Sequence, residues 1–200
     1  GEDEFSKLHA AIRVLLPLLP ALCASSPILD SKPTGQLDTR LYYYRANQAR
    51  IPSITGKVIP EPIFSSAAYK KNIYKKIEDD ISSFNSNGIL DPIWVNSRGA
   101  IPRFDRGSIE IRIMDIQECP AADLSIQTVV IETLKLLTNE IFFLREQQQD
   151  MDTDMLASIL TSTAKDGGKA MNSDKTFLKG WGLTSPSSAS DVWTKILDKH

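Results

Sequence analysis

The stretch from Arg98 to Asp115 gathers four arginines and a glutamate around one predicted strand, in the order RGAIPRFDRGSIEIRIMD. Isoleucines alternate with Glu110 and Arg112, so a strand of period two would direct the isoleucines to a core and this acid and guanidinium to the opposite face. Arginine offers planar, permanently charged donors for phosphate, and carboxylates suit hard cations. The stretch therefore has the ingredients to hold a metal-bound polyphosphate.

The same pattern has a second interpretation, which is a solvated strand face that carries one ion pair between Glu110 and Arg112. Exposed pairs of this kind are common and contribute little to stability. The strand alone leaves both interpretations open.

Composition excludes several classes of function. The chain has 200 residues, 42% of them hydrophobic and 24% charged, which is ordinary for a globular domain with one sizeable core. A net charge of −2 gives no general reason to bind nucleic acid or an anionic membrane. Cys23 and Cys119 form no disulfide framework or C-x-x-C pattern, which predicts a cytoplasmic protein.

Common catalytic motifs are missing from the sequence. There is no Walker A loop and no G-x-G-x-x-G. Two dispersed cysteines with His9 and His200 make no zinc pattern and no Ser-His-Asp assembly, and His9 is predicted to be a packed core residue. A nucleotide would therefore be held by side chains and a sheet.

Hydrophobic periodicity predicts the elements that would position these residues. A buried helix from Phe5 to Ala24 should bend near Pro17, because proline interrupts helices. The segment from Ile93 to Asn96 is predicted to pair with a strand from Gly107 to Ile116 across an intervening loop. Further helices are predicted over Leu37 to Gln48, Ser66 to Phe84, Pro120 to Gln149, Thr153 to Thr163 and Asp191 to Asp198. The long helix is expected to bury a stripe that includes Leu124, Val130, Ile131, Leu134, Leu137, Ile141 and Leu144.

Two other segments carry arginines and small polar residues. The first runs from Ala21 to Arg40, and the second from Arg50 to Glu61. In the second segment, Ser53, Thr55 and Lys57 have two interpretations, as contacts to an anion or as loop capping.

The order and spacing of these segments resemble a known family. The run A-L-x-A-S-S-P, then T-G-x-x-x-x-R ending at Arg40, and about seventy residues later R-G-S-I-E-I-R-I-M-D before a long helix, resembles the bacterial glutamate-cysteine ligases, type 2, of the carboxylate-amine ligase family. The resemblance covers Phe5 to Gln149. It implies an α+β fold related to glutamine synthetase, with short antiparallel strands packed with several long helices. Residues 1–149 would be the C-terminal part of the ligase domain, and 150–200 a helical tail packed on it.

The resemblance also implies a reaction. Such enzymes use ATP and Mg²⁺ or Mn²⁺ to activate the γ-carboxylate of glutamate as an acyl phosphate, which an amine, usually that of cysteine, then displaces on the route to glutathione. Acidic strands expected in the N-terminal half of the same protein are not in this sequence. The 200 residues alone are therefore expected to be inactive.

Site roles follow from the matching positions. Glu110 would be a metal ligand, Arg112 would meet the transferring phosphoryl group, and Arg40 would hold a substrate carboxylate or phosphate. The candidates for the nucleotide phosphates are Arg98, Arg103 and Arg106. Two departures, Ser31 in place of glycine and Asp38 in place of serine, put the identity of the amine acceptor in question.

Two alternatives remain beside the ligase. One is a non-catalytic module of the same fold that binds an anion or a partner protein. The other is a guanidino phosphotransferase, which is disfavoured because neither Cys23 nor Cys119 is placed to meet a guanidinium.

Overall fold

A computed structural model describes residues 1–199, which form helices and short antiparallel strand pairs. The predicted α+β class is confirmed. The helices α1 to α11 span Glu2–Leu15, Pro20–Cys23, Thr39–Ala46, Ser66–Tyr69, Lys75–Ile81, Pro92–Val95, Pro120–Thr138, Arg145–Gln149, Thr153–Asp166, Lys175–Gly180 and Ala189–Leu197. The strands β1 to β6 span Ile28–Leu29, Lys32–Pro33, Ala100–Arg103, Ser108–Ile111, Met171–Asn172 and Ser187–Ser188.

The first helix is interrupted near Pro17, as predicted. A short 3₁₀ segment, Leu16–Leu18, separates α1 from α2, because Pro17 and Pro20 lack the backbone N–H that continues a helix. The carbonyl groups freed there are bonded by side chains from the C-terminal region. Thr163 donates its hydroxyl to the Pro17 carbonyl at 2.6 Å, and Trp193 donates its indole N–H to the Leu18 carbonyl at 3.0 Å.

The predicted helix from Ser66 to Phe84 is confirmed. A π-helical turn, Lys70–Tyr74, joins α4 to α5, and a 3₁₀ turn ends the segment. Its apolar stripe is fully packed and forms a separate small core with Ile54. The stripe consists of Tyr69, Ile73, Ile77 and Ile81.

The hairpin that carries the charged strand differs from the prediction. Strand β4 is present, but its partner is β3, with Ile101 opposite Glu110 and Arg103 opposite Ser108. The expected strand from Ile93 to Asn96 is instead the short helix α6. Asp91 caps that helix by accepting the amide of Ile93 at 2.8 Å, and the proline that follows is favourable in a first turn.

The long helix α7 is also shorter than predicted. It ends at Thr138, and Glu140 follows with a left-handed backbone of φ 59°. The predicted apolar stripe is only partly buried: Val130 and Leu137 face the core, whereas Leu124 and Ile131 are exposed. Ile141 and Leu144, expected to extend the stripe, lie beyond the end of the helix and are exposed too.

Arg13 connects the main core to the loop that supports the charged hairpin. Its side chain is completely buried and donates to the carbonyl groups of Pro60 at 2.8 Å and Met151 at 3.0 Å. Burial lowers the pKa of Arg13 to about 10, so the guanidinium keeps its charge at neutral pH. This bond to the Pro60 carbonyl attaches the loop from Arg50 to Glu61 to the core.

The C-terminal helices pack on the same core as α1 and α7. The amide of Asp38 donates to the Ala164 carbonyl at 2.8 Å, which joins the start of α3 to α9. The division of the chain at residue 149 remains a prediction. Among residues 1–199, no helix has both the length and the apolar character required to cross a bilayer.

Candidate functional site

Glu110 lies on the solvent face of β4, and Arg112, the first residue after this strand, lies beside it. Arg112 donates through Nε to Oε1 of Glu110 at 2.9 Å and through Nη2 to Oε2 at 3.2 Å. This contact lowers the pKa of Glu110, with a further contribution from the charges of Arg103 and Arg106. The opposite face of the strand packs on the core through Ile109, Ile111 and the following Ile113, as the alternation predicts.

Arg103 approaches the pair from the neighbouring strand. Its Nη1 lies 3.9 Å from Oε2 of Glu110, and its guanidinium stacks on the exposed ring of Trp94 at 4.5 Å from the centroid. The Arg103 side chain is only 5% exposed, and its Nε has no hydrogen-bond partner among the described residues but lies 3.5 Å from Oδ1 of Asp105. The guanidinium therefore lies between the carboxylates of Asp105 and Glu110, and an anionic group bound there would compete with them.

Arg106 and Arg98 are placed differently from Arg103. Arg106 lies in the hairpin turn, is exposed, and pairs with Asp105 at 3.5 Å. Arg98 is 3% exposed, and its Nε and Nη2 bind the two carboxylate oxygens of Glu61 at 2.6 and 2.7 Å. Its Nη1 donates to the Ser53 carbonyl at 3.1 Å, so all three nitrogens have protein partners. Arg98 therefore has a structural role here, and its contact with a phosphate remains a prediction.

Arg40 lies next to the pair because its side chain contacts the backbone of Arg112. Its Nη1 donates to the carbonyl of Arg112 at 3.3 Å, and its Nε donates to Oδ1 of Asp115 at 2.5 Å. The other Asp115 oxygen accepts from the Ser25 amide at 3.0 Å and the Ser26 hydroxyl at 2.8 Å. The three motifs that were separate in the sequence thus meet at one buried carboxylate.

Asp38 is buried and faces the protein interior. It caps α3 through Oδ1, which accepts the Leu41 amide at 2.7 Å, while Oδ2 has no hydrogen-bond partner among residues 1–199. Burial raises the pKa of Asp38 to about 6, and the nearby charge of Asp115 acts in the same direction. An effect of Asp38 on the choice of amine acceptor remains a prediction.

A cavity of about 490 Å³ opens beside the hairpin turn. Phe5 and Phe104 form part of an apolar wall, and Arg103 and Lys70 supply positive charge. Arg103 therefore borders both the cavity and Glu110. Glu2 and Glu4 also line the cavity, and Glu2 is engaged by the amide of Ser66 at 2.9 Å.

A sequence model of glutamate-cysteine ligase family 2 matches residues 1–156. The chain belongs to this family. The resemblance that the motifs indicated is thereby confirmed, and a ligase-type enzyme is supported as the class.

An uncharacterised protein of Archaeoglobus fulgidus is similar to this member of glutamate-cysteine ligase family 2. The two are 38% identical over 167 residues, which is 84% of this chain and 42% of the relative. The chain thus spans about two fifths of that relative's length.

The resemblance to the family implies a divalent cation at Glu110. Among residues 1–199, no group of three or more His, Cys, Asp or Glu side chains is placed to hold a metal ion. Both oxygens of Glu110 also accept from Arg112. The described residues do not fit a complete divalent-cation site, and the role of Glu110 as a metal ligand remains a prediction.

Cys23 bears on the guanidino phosphotransferase alternative. Its thiol is buried and donates to the Leu19 carbonyl at 3.1 Å, and burial raises its pKa to about 12. A reactive thiolate is not expected at this position.

Two further site residues, Asp115 and Trp94, were not singled out by the sequence analysis. Asp115 is the last residue of the motif that resembles the family, and this position could have indicated a role in the site. No pattern in the sequence pointed to Trp94, because the segment that contains it was predicted to be a strand and forms α6 instead.

Proposed function

We propose that this chain forms part of an ATP-dependent carboxylate-amine ligase that joins glutamate to an amine, with cysteine as the predicted acceptor and γ-glutamylcysteine as the product. Family membership supports the ligase class. The observation that carries the proposal is the cluster of Arg103, Glu110 and Arg112, of which Arg103 also lines a cavity in the size range of small-molecule sites.

The cluster suits phosphoryl transfer because that reaction requires positioning and charge neutralisation more than a covalent nucleophile. Arg112 is oriented by Glu110 and is still a quarter exposed, so it can meet a transferring phosphoryl group. Arg40, attached next to it through the Arg112 carbonyl, is available for the substrate carboxylate. The product of activation would be the γ-glutamyl phosphate, which the amine then attacks.

For the nucleotide we propose the cavity at the hairpin turn. The adenine would pack on the apolar wall that includes Phe5 and Phe104, and the phosphates would extend toward Arg103 and Lys70. Arg106, exposed in the same turn, can reach a terminal phosphate. Glu2 and Glu4 line the same cavity and would repel a phosphate placed next to them.

For Mg²⁺ or Mn²⁺, Glu110 is the ligand that we propose from residues 1–199. We propose that the other carboxylates come from the N-terminal half of the same protein. Glutamate, the amine and this N-terminal half are accordingly the proposed partners, and glutathione biosynthesis in the cytoplasm is the proposed setting.

The test uses the full-length protein with Glu110→Gln and Arg112→Lys. Each variant should lower glutamate- and amine-dependent ADP release about a hundredfold or more, because each removes charge or geometry required in the transition state. Glu132→Gln, which alters an exposed acid paired with Lys135 on α7, is the matched control and should keep wild-type activity. Activity of the Glu110 variant within about threefold of wild type would contradict the proposal.

The second candidate is a non-catalytic module that binds an anion through its arginines. The observation in its favour is that Arg112 occupies both oxygens of Glu110, as in an ordinary surface ion pair. Such a module would bind ATP with and without Mg²⁺ equally well, and it would release no ADP when glutamate and an amine are added.

A further inference from the structure

The buried carboxylate of Asp115 accepts hydrogen bonds from three donors. Its side chain is 4% exposed, and it accepts from Arg40, Ser25 and Ser26. Every one of these three groups is a donor, so the site is built for an acid and does not suit an amide. Asp115 lies four residues after the end of β4, whereas Ser25, Ser26 and Arg40 come from the segment around α3.

The hydrogen bonds form a closed ring around Arg40. Asp115 Oδ1 accepts from Nε of the Arg40 side chain, while Oδ2 accepts from the Ser26 hydroxyl. That same hydroxyl accepts the backbone amide of Arg40 at 3.2 Å. Asp115 therefore fixes Arg40 at its backbone and at its guanidinium.

Fixing one edge of the guanidinium leaves the other edge free. Nε is taken by Asp115 and Nη1 contacts the Arg112 carbonyl, while Nη2 has no hydrogen-bond partner among the described residues. The Arg40 side chain is 39% exposed. Because the rotamer freedom of a long side chain is lost before the ligand arrives, an anionic group meets a preorganised donor.

We propose that Asp115 is a positioning residue, which holds the guanidinium of Arg40 in place to bind the carboxylate substrate of the ligase. The proposal rests on the proposed function. Asp115 itself does not touch the substrate, and it acts through Arg40.

The experiment is a double-mutant cycle in the full-length protein with Asp115→Asn and Arg40→Ala. Asp115→Asn keeps the shape of the side chain but places a donor or a neutral acceptor where three donors converge. We expect it to lower kcat/KM for glutamate about tenfold to a hundredfold, mainly by raising KM. In the Arg40→Ala background the same change should alter kcat/KM by less than about threefold, because the residue through which Asp115 acts is gone. An equal loss in both backgrounds would overturn the proposal.

Two further measurements separate positioning from folding. Asp123→Asn, a partly buried acid that accepts the Gln117 amide at 3.0 Å, is the control and should leave KM unchanged. Ser26→Ala is the milder second variant, which opens the ring without removing a charge, and a threefold to tenfold rise in KM is expected. If Ser26→Ala folds and its KM is unchanged, the ring does not position Arg40.

The nuclear magnetic resonance signal of the Arg40 Nε–H group tests the geometry without catalysis. It should be protected from solvent exchange in the wild-type protein and lose that protection in Asp115→Asn. An unprotected signal in the wild-type protein overturns the proposal. If the wild-type protein ligates nothing, the proposed function fails, and the signal alone then decides whether Asp115 fixes Arg40.

Discussion

Arg112, the first residue after β4, donates to both carboxylate oxygens of Glu110, two residues earlier, at 2.9 and 3.2 Å. A strand places residues i and i+2 on one face, so this contact follows from the backbone alone. Both side chains remain partly exposed, and the pair is screened by solvent. Its main effect is to orient Arg112 and keep Glu110 ionised, with little contribution to stability.

Substitution of Arg112 by Gln should therefore change the titration of Glu110 but not the fold. The pKa of Glu110 should rise, because the contact that lowers it most is removed. The free energy of unfolding should change by less than about 1 kcal/mol, as for exposed ion pairs. A carboxyl NMR titration with a urea melt measures both. An unchanged Glu110 pKa would mean that the pair is not formed in solution.

Trp94 should report nucleotide binding through its fluorescence. Its ring is 60% exposed and stacks on Arg103 beside the proposed nucleotide cavity, whereas Trp181 and Trp193 are buried. ATP should change the emission and reduce quenching by acrylamide, and Trp94→Phe should abolish both effects. A response that persists in Trp94→Phe would place the nucleotide elsewhere.

His9 should make the protein less stable in acid. It is completely buried among Phe5, Phe64 and Tyr69, neither ring nitrogen has a hydrogen-bond partner among residues 1–199, and burial lowers its pKa to about 3. Below pH 6.5 the unfolded chain binds a proton that the folded protein excludes, so stability falls as the pH drops from 6.5 toward 3. The slope approaches about 1.4 kcal/mol per pH unit. His9→Phe should flatten this dependence in urea melts, and an unchanged slope would show that His9 is hydrated.

Asp38 should make the protein less stable as the pH rises, which is opposite to the effect of His9. Its pKa in the folded protein, about 6, lies above the ordinary value of 3.8, so the folded state binds the extra proton and stability is lost as the pH rises from about 4 through 6. Asp38→Asn keeps a capping oxygen for α3 and removes the buried charge. The variant should be more stable than wild type at pH 8 by about 1–3 kcal/mol and equally stable at pH 4. Thermal melts at the two pH values decide this, and a loss of stability at pH 8 would contradict it.

Local pattern was sufficient to predict the elements whose burial follows one clear period. The stripe from Tyr69 to Ile81 and the alternation around Glu110 are examples, because a single face is apolar in each. The end of α7 was not predictable in this way, since Leu144 continues the apolar pattern beyond a left-handed residue at Glu140. The partner of β4 was not predicted because β3 contains Pro102. Proline disfavours a strand, so its presence in the sequence indicated a loop.

The site was predictable in its residue types but not in its contacts. The sequence did not distinguish Arg98 from the other arginines. In the structure its guanidinium is bound to the carboxylate of Glu61, which lies 37 residues away in the chain. The role of Asp115 likewise depends on Ser25, which lies 90 residues earlier. Contacts between distant segments are set by the packing of the whole fold, and spacing along the chain carries no information about them.

Thr163 and Trp193 hydrogen-bond to the interrupted first helix from a part of the chain that the family model does not match. The family match ends at residue 156, but the two side chains that satisfy the carbonyl groups of Pro17 and Leu18 lie after it. A chain cut at residue 156 would lose both donors, expose the two carbonyl groups to water and uncover the apolar surface that α11 covers. The residues after 156 therefore belong to the same folding unit as the first helix, and a fragment made to the family boundary should not fold as the whole chain does.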